Sequence, residues 1–251
     1  MIRGVYTAAA GMVNQRERLD VIADNLANID TVAFKRAEPI SRGFYQVFAE
    51  EIARFPSGRG SEEIPGGGSA LDSTSGDFSP GSVVDTGNPL DVAIDGPGFF
   101  VVRTPSGERY TRAGNFSLNF DGRLVTQSGY SVLGEQGPIM VMGETVEISP
   151  GGDVMVDGAA AERIRIVDFP RPDSLTKYGR NLYGAVESIR RTGVPVAAPN
   201  LRVGALESSN VNPLTELVSM MDAARSYEAN QKVILALNES LDAAVNEIAR
   251  T

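Results

Sequence analysis

The spacing of apolar residues changes twice along this chain. Over residues 2–28 they recur at helical intervals. The frame Ile2, Val5, Ala9, Met12, Arg16, Leu19, Ala23, Leu26 is broken only at Arg16. Over residues 214–250 a second frame, Leu217, Met220, Ala224, Tyr227, Gln231, Ile234, Asn238, Leu241, Val245, Ile248, is broken only at Gln231 and Asn238. Both patterns predict amphipathic helices. At ~1.5 Å per residue the second would run ~55 Å, beyond the reach of a compact domain of this size. Its start is marked: Asn212 can cap, Pro213 suits the first helical position, and Glu216 sits in the positive first turn.

Two arrangements fit these frames. The helices could pack on a globular core, or the two ends could pair as a coiled coil. The second helix favours pairing, because Val218, Met221, Val233, Leu235 and Leu237 widen its apolar stripe beyond what one partner covers. Only one other long helix is available within the chain, so the remaining cover is expected from other subunits.

Between the ends the period shortens. Leu90-Asp91-Val92-Ala93-Ile94 alternates, as does Phe116-Ser117-Leu118-Asn119-Phe120, and Asp121-Gly122 then signals a hairpin into residues 123–126. Further strands are predicted at 99–103, 139–141, 146–148, 154–156 and 164–169. Breakers draw the same division. All 14 Pro lie between Pro39 and Pro213, and of 27 Gly only Gly4 and Gly11 precede Gly43 and none follows Gly204. From Pro56 to Ser82, 17 of 27 residues are Gly, Ser or Pro, which predicts an extended connection without a long strand or helix. The expected fold is therefore α+β. A coiled-coil stalk is built from residues 1–30 and 213–251, an extended connecting segment covers 31–87, and a β-rich domain covers 88–206.

Composition narrows the chemistry. The chain has 251 residues, is 42% hydrophobic and carries a formal net charge of -9, which argues against a general nucleic-acid binder. It contains no His, no Cys and no Trp, so imidazole and thiolate metal sites and the Ser-His-Asp and Cys-His mechanisms are excluded. No cofactor, metal or small-molecule substrate is expected. No stretch approaches the ~20 apolar residues of a membrane-spanning helix. The first ten residues lack the apolar run of a secretory signal, so no cleaved signal peptide is expected.

Candidate catalytic motifs dissolve one by one. Gly66-Gly67-Gly68 lacks the Lys-Ser/Thr of a phosphate loop, and Gly151-Gly152-Asp153 occurs once, as a turn would. Asp91 and Asp95 on one strand would stand ~13 Å apart, beyond the usual range for paired glycosidase carboxylates. No set of nucleophile, base and oxyanion hole assembles.

The same segments carry a resemblance. The opening Met1-Ile2-Arg3-Gly4-Val5-Tyr6-Thr7-Ala8-Ala9-Ala10-Gly11-Met12, and Asn25-Leu26-Ala27-Asn28 followed by Thr31-Val32-Ala33-Phe34-Lys35, are similar to those of the flagellar basal-body rod and hook proteins. Ala33 stands where that family usually has Gly, which counts against a positive-φ turn there. Asn88–Phe100, Tyr110–Phe116, Leu206-Glu207-Ser208-Ser209-Asn210-Val211-Asn212-Pro213 and Arg225-Ser226-Tyr227-Glu228-Ala229-Asn230 resemble further family segments. The resemblance runs end to end and is strongest to the proximal-rod members, then to the distal-rod members.

The resemblance implies a structural axial protein that is not an enzyme. Such a protein is secreted by the flagellar type III export apparatus, stacks helically with itself and other rod proteins across the periplasm, and transmits torque. The terminal helices would form the inner layer of the tube. Ile2, Val5, Ala9, Met12, Leu19, Leu26, Leu217, Met220, Tyr227, Ile234, Leu241, Val245 and Ile248 would be the assembly interface. Two other classes remain open: a carboxylate-dependent cell-wall glycan hydrolase and a coiled-coil adhesin.

Overall fold

A computed structural model describes residues 2–43, 69–143 and 145–248. It is α+β, with an N-terminal helix α1 (Ile2–Ala27), a C-terminal helix α2 (Pro213–Ile248) and short strands between them. The chain divides into two compact units. The first takes residues 1–27, 37–75 and 212–251; the second takes 28–36 and 76–211.

In the first unit α1 and α2 pack along each other. A β-carbon on Gly4 would lie 3.2 Å from a Leu237 methyl, and one on Gly11 would lie 3.0 Å from the Asn230 amide nitrogen. Asn25 meets Glu216. Rising numbers on one helix therefore face falling numbers on the other, so the pair is antiparallel, and each step between these contacts is a multiple of seven residues. On α2 the row toward α1 is Glu216, Met220, Ala223, Tyr227, Asn230, Ile234, Leu237 and Leu241, all buried or half-buried. On α1 Ala8, Asn14, Ile22 and Asn25 are buried, and Ala8, Ile22 and Asn25 continue the line of Gly4 and Gly11.

Both rows differ from the frames read in the sequence. The line on α1 lies one residue before the expected one, and on α2 Glu216, Ala223, Asn230 and Leu237 replace Leu217, Ala224, Gln231 and Asn238. The cause is that the facing positions include glycines, which admit close approach, and polar residues that bury through partners. A count of apolar residues passes over both.

Residues 37–43 pair with 69–76 as a two-stranded sheet. The eight-residue strand Ser69–Gly76 corrects the expectation that the Gly/Ser/Pro-rich stretch holds no long strand. Its backbone groups are satisfied by a segment distant in sequence, which composition does not register. The rest of that stretch, through residue 68, lies outside the described residues.

The second unit is built on a sheet whose path runs through Thr176–Tyr178, Leu182–Gly184, Gly107–Thr111, Phe99–Thr104, Ser131–Val132, Leu124–Thr126 and Phe116–Leu118. Strand Phe99–Thr104 is its axis and is buried on both faces. Side chains alternate along a strand, so Phe100 and Val102 enter one cluster with Phe116, Leu124 and Ile139. Phe99 and Val101 enter another with Tyr110, Phe169 and Tyr183. The Asp121-Gly122 hairpin forms, with Gly122 at φ +72°. Within residues 139–141 one isolated bridge, Met140 with Arg123, stands in place of the expected strand. Around the expected 88–206 core, this unit also contains 28–36, 76–87 and 207–211.

Candidate functional site

Two constructions use the residues that the sequence singled out. The first lies in the second unit. The chain leaves α1 through a turn in which Thr31 bonds Asn28 by both backbone and hydroxyl. Ala33 then takes φ +52° while fully buried, and its N–H donates to the Glu207 carbonyl at 2.7 Å. The positive-φ turn is thus present without the family's glycine. That corrects the expectation drawn from the substitution: a methyl is the smallest side chain that pays the left-handed cost, and the surrounding bonds hold it there.

The turn delivers Phe34 and Lys35 to the interior. The Lys177 ammonium sits 3.9 Å over the Phe34 ring. Lys35 Nζ donates to Glu207 Oε1 at 2.6 Å and to the Ser79 carbonyl at 2.7 Å. Arg112 Nε donates to Glu207 Oε2 at 2.9 Å, and the Gly81 N–H donates to Oε1 at 3.0 Å. The Arg112 guanidinium also donates to the carbonyls of Ile94, Gly96 and Gly98. One carboxylate thus gathers the segment after α1, the strand before α2 and a β-hairpin.

Burial raises the Glu207 carboxyl pKa, but Arg112 and Lys35 outweigh it and hold the group below the usual carboxylate range. Burial lowers the Lys35 ammonium by more than the Glu207 hydrogen bond and charge raise it. The two partners differ because Glu207 sees two cations, whereas Lys35 shares one carboxylate with a repelling Arg112. Beside them Asn210 accepts from the Arg36 N–H at 2.7 Å and donates to the Asp77 carbonyl at 2.8 Å. Val211 is buried. Glu207 and Arg112 were absent from the expected site residues. The available signal was a charge of each sign inside otherwise neutral, turn-rich segments.

The second construction is the helix pair. Asn212 Oδ1 accepts from the Leu214 N–H at 2.9 Å, so it caps α2. Among the expected interface residues, Met220, Tyr227, Ile234 and Leu241 lie on the row toward α1, and Val5, Ala9, Met12, Leu19 and Leu26 are half-buried beside it. Leu217 is 45% exposed. Ile2, Val245 and Ile248 lie outside the residues whose side chains are described. Of the Asn25-Leu26-Ala27-Asn28 run, Asn25 and Asn28 are buried and Ala27 is exposed. Exposed apolar residues on α2 are Leu214, Leu217, Val218, Met221, Val233 and Leu235.

The carboxylates considered for catalysis are turn residues. Asp91 accepts from Thr86 at 2.7 Å and from Asn88 at 3.1 Å, and Asp95 accepts from Asn200 at 3.1 Å. An open cleft of about 760 Å³ lies where hairpin turns of the second unit converge, and Asp30 is the single carboxylate among its lining residues. Among the described residues no cluster of acidic side chains is placed to hold a metal ion, and no helix is long and apolar enough to cross a membrane.

Comparison with known proteins adds three family matches in chain order. Residues 5–35 match the family described as flagella basal body rod protein, 93–157 the flagellar hook protein FlgE/F/G D1 domain, and 202–247 the flagellar basal body rod FlgEFG protein C-terminal region. The chain is 36% identical over 268 residues to the flagellar basal-body rod protein FlgG of Bacillus subtilis, covering 98% of this chain and 99% of that one. It is 31% identical over 255 residues to the flagellar basal-body rod protein FlgF of Caulobacter vibrioides, covering 100% and 99%. It is also 31% identical over 270 residues to the flagellar hook-basal body complex protein FlhO of Bacillus subtilis, covering 100% of both. The three matched segments hold the turn with Lys35, the β-core and the strand with Glu207 that leads into α2, and with end-to-end relatives above 30% identity the chain belongs to the flagellar basal-body rod protein family, as a structural component of the rod.

Proposed function

We propose that this rod component polymerises helically through its terminal helices, with itself and with other rod proteins, and so transmits torque from motor to hook. The observation that carries the reading is the exposed apolar face of α2. Leu217, Val218, Met221, Val233 and Leu235 remain exposed after α1 has taken its own face of the helix. Burying a Leu or Val is worth ~1.5–3 kcal/mol, so several such residues together provide a strong drive toward neighbouring subunits. Contacts repeated without rotational closure generate a filament. The coiled-coil stalk belongs to this reading, as do delivery by the flagellar type III export apparatus and a position crossing the periplasm.

The reading is non-catalytic. The bonding of Asp91 within its own loop and of Asp95 to the distant Asn200 supports this, as does the single carboxylate lining the cleft, since glycoside hydrolysis generally needs two. An adhesin would instead form a defined small oligomer. The higher identity to the FlgG protein than to the FlgF protein favours the distal-rod reading as the second assignment of rod position, beside the proximal one that the motifs suggest.

Electron microscopy of purified protein at rising concentration tests assembly, with filaments expected for the native chain. Leu217→Asp and Met221→Asp should leave the chain folded and abolish both filaments and motility. Ile234, which faces α1, is a poorer probe, because a charge there disturbs the pair within the chain. Normal filaments from both variants would overturn the reading.

A further inference from the structure

The contacts between α1 and α2 obey one numerical rule: Gly4 with Leu237, Gly11 with Asn230 and Asn25 with Glu216 each sum to 241. A heptad seam does not by itself choose among such sums, because sliding one helix by seven residues again presents an a/d-type row to its partner. A slide to a sum of 234 would even set Arg18 opposite Glu216. Something must select the observed alignment.

We infer that Asn25 and Glu216 are the register-determining pair of the helix seam. Both are 1% exposed, in rows otherwise filled by small or apolar residues at most of the facing positions. The Asn25 amide is oriented by the chain itself. Its Oδ1 accepts from the Ala37 N–H at 2.9 Å and its Nδ2 donates to the Ala37 carbonyl at 2.9 Å. The same Nδ2 donates to Glu216 Oε2 at 3.4 Å. Glu216 also lies in the first turn of α2, where the helix dipole favours a carboxylate. A slide by one heptad takes Asn25 away from Glu216 and leaves two buried polar groups without each other, a penalty that an apolar seam would not impose. Buried polar pairs set register in other coiled coils at some expense in stability. The glycines then follow: Gly4 and Gly11 fit the side chains of Leu237 and Asn230 in the alignment that Asn25 selects. The consequence for assembly rests on the helix-mediated polymerisation proposed above. A fixed register gives every subunit the same composite outer surface of α1 and α2.

The absence of cysteine makes the test clean. Gly11→Cys with Asn230→Cys reports the observed register. Gly4→Cys with Asn230→Cys and Gly11→Cys with Leu237→Cys report slides of one heptad in either direction. In the full chain with native Asn25 and Glu216, the first pair should oxidise at least tenfold faster than the other two. With Asn25→Leu and Glu216→Leu together, helicity by circular dichroism should persist, and the slid pairs should oxidise within threefold of the first. Retention of the single cross-link in the double variant would overturn the inference. So would loss of all three cross-links, because the polar pair would then hold the helices together without choosing between registers. Cross-linking in dilute monomer does not depend on filaments, so failure here is distinguishable from failure of the assembly reading.

Discussion

Lys35 and Glu207, 172 residues apart, meet at 2.6 Å with their side chains 0% and 2% exposed. A charge pair so fully removed from water persists only where each partner is satisfied, and Glu207 is satisfied by Arg112 and Gly81 as well. Glu207→Gln leaves two buried cations facing a neutral amide and should cost about 3–5 kcal/mol. Thermal unfolding at pH 7 would show this as a large fall in Tm.

The same carboxylate predicts acid sensitivity. Its folded pKa lies below the ordinary value of 4.5, so the folded state binds its proton less readily than the unfolded chain. The stabilisation is complete above the unfolded pKa and is lost as pH falls through the lower folded value. Tm should therefore decline below about pH 4.5, and Glu207→Gln should flatten that part of the profile. An unchanged acid limb in the variant would remove Glu207 as its source.

Ala33 holds a left-handed conformation that costs an L-residue roughly 1–2 kcal/mol. Ala33→Gly relieves this but loses a buried methyl and gains chain entropy when unfolded, so stability should change by less than ~1 kcal/mol. Ala33→Val should cost more than ~2 kcal/mol, because a β-branched residue is far less tolerant of positive φ. Denaturant titration of the two variants checks the contrast.

Gly114 illustrates close approach without unusual φ. A β-carbon there would collide with the Val92 carbonyl oxygen and lie 3.2 Å from the Phe100 ring. The Gly114 carbonyl also accepts from the Val92 N–H at 3.0 Å, so the strands cannot separate cheaply. Gly114→Ala should destabilise by more than ~3 kcal/mol, at the upper end for a single added methyl. Recovery of soluble, cooperatively unfolding protein with near-native Tm would contradict the packing described.

Asn212→Ala removes the cap of α2 and should cost ~1 kcal/mol. Amide exchange should accelerate at Leu214 and Thr215, whose N–H groups the Asn212 side chain accepts, while the middle of α2 is unaffected.

Much of the architecture was legible because it is local. Helical period, absence of breakers and the Asn212-Pro213 start located both helices. Alternation and Asp121-Gly122 located several of the core strands and the hairpin, but not the strands Gly107–Thr111, Thr176–Tyr178 and Leu182–Gly184 of the same sheet. The strand Ser69–Gly76 was not legible, because its partner lies across an intervening stretch of chain.

The sequence by itself determined where both long helices and several core strands form and, through its motifs, the family to which the chain belongs. Tertiary structure decided which faces meet. Apolar count favoured Leu217 over Glu216 and Met12 over Gly11, yet the seam turns on glycine, asparagine and a buried carboxylate, whose suitability depends on partners distant in the chain. Lys35, Arg112 and Glu207 likewise read as three separate charges until folding brings them within hydrogen-bonding distance. Desolvation makes each of them costly alone and stable only together, and that is a property of the assembled fold.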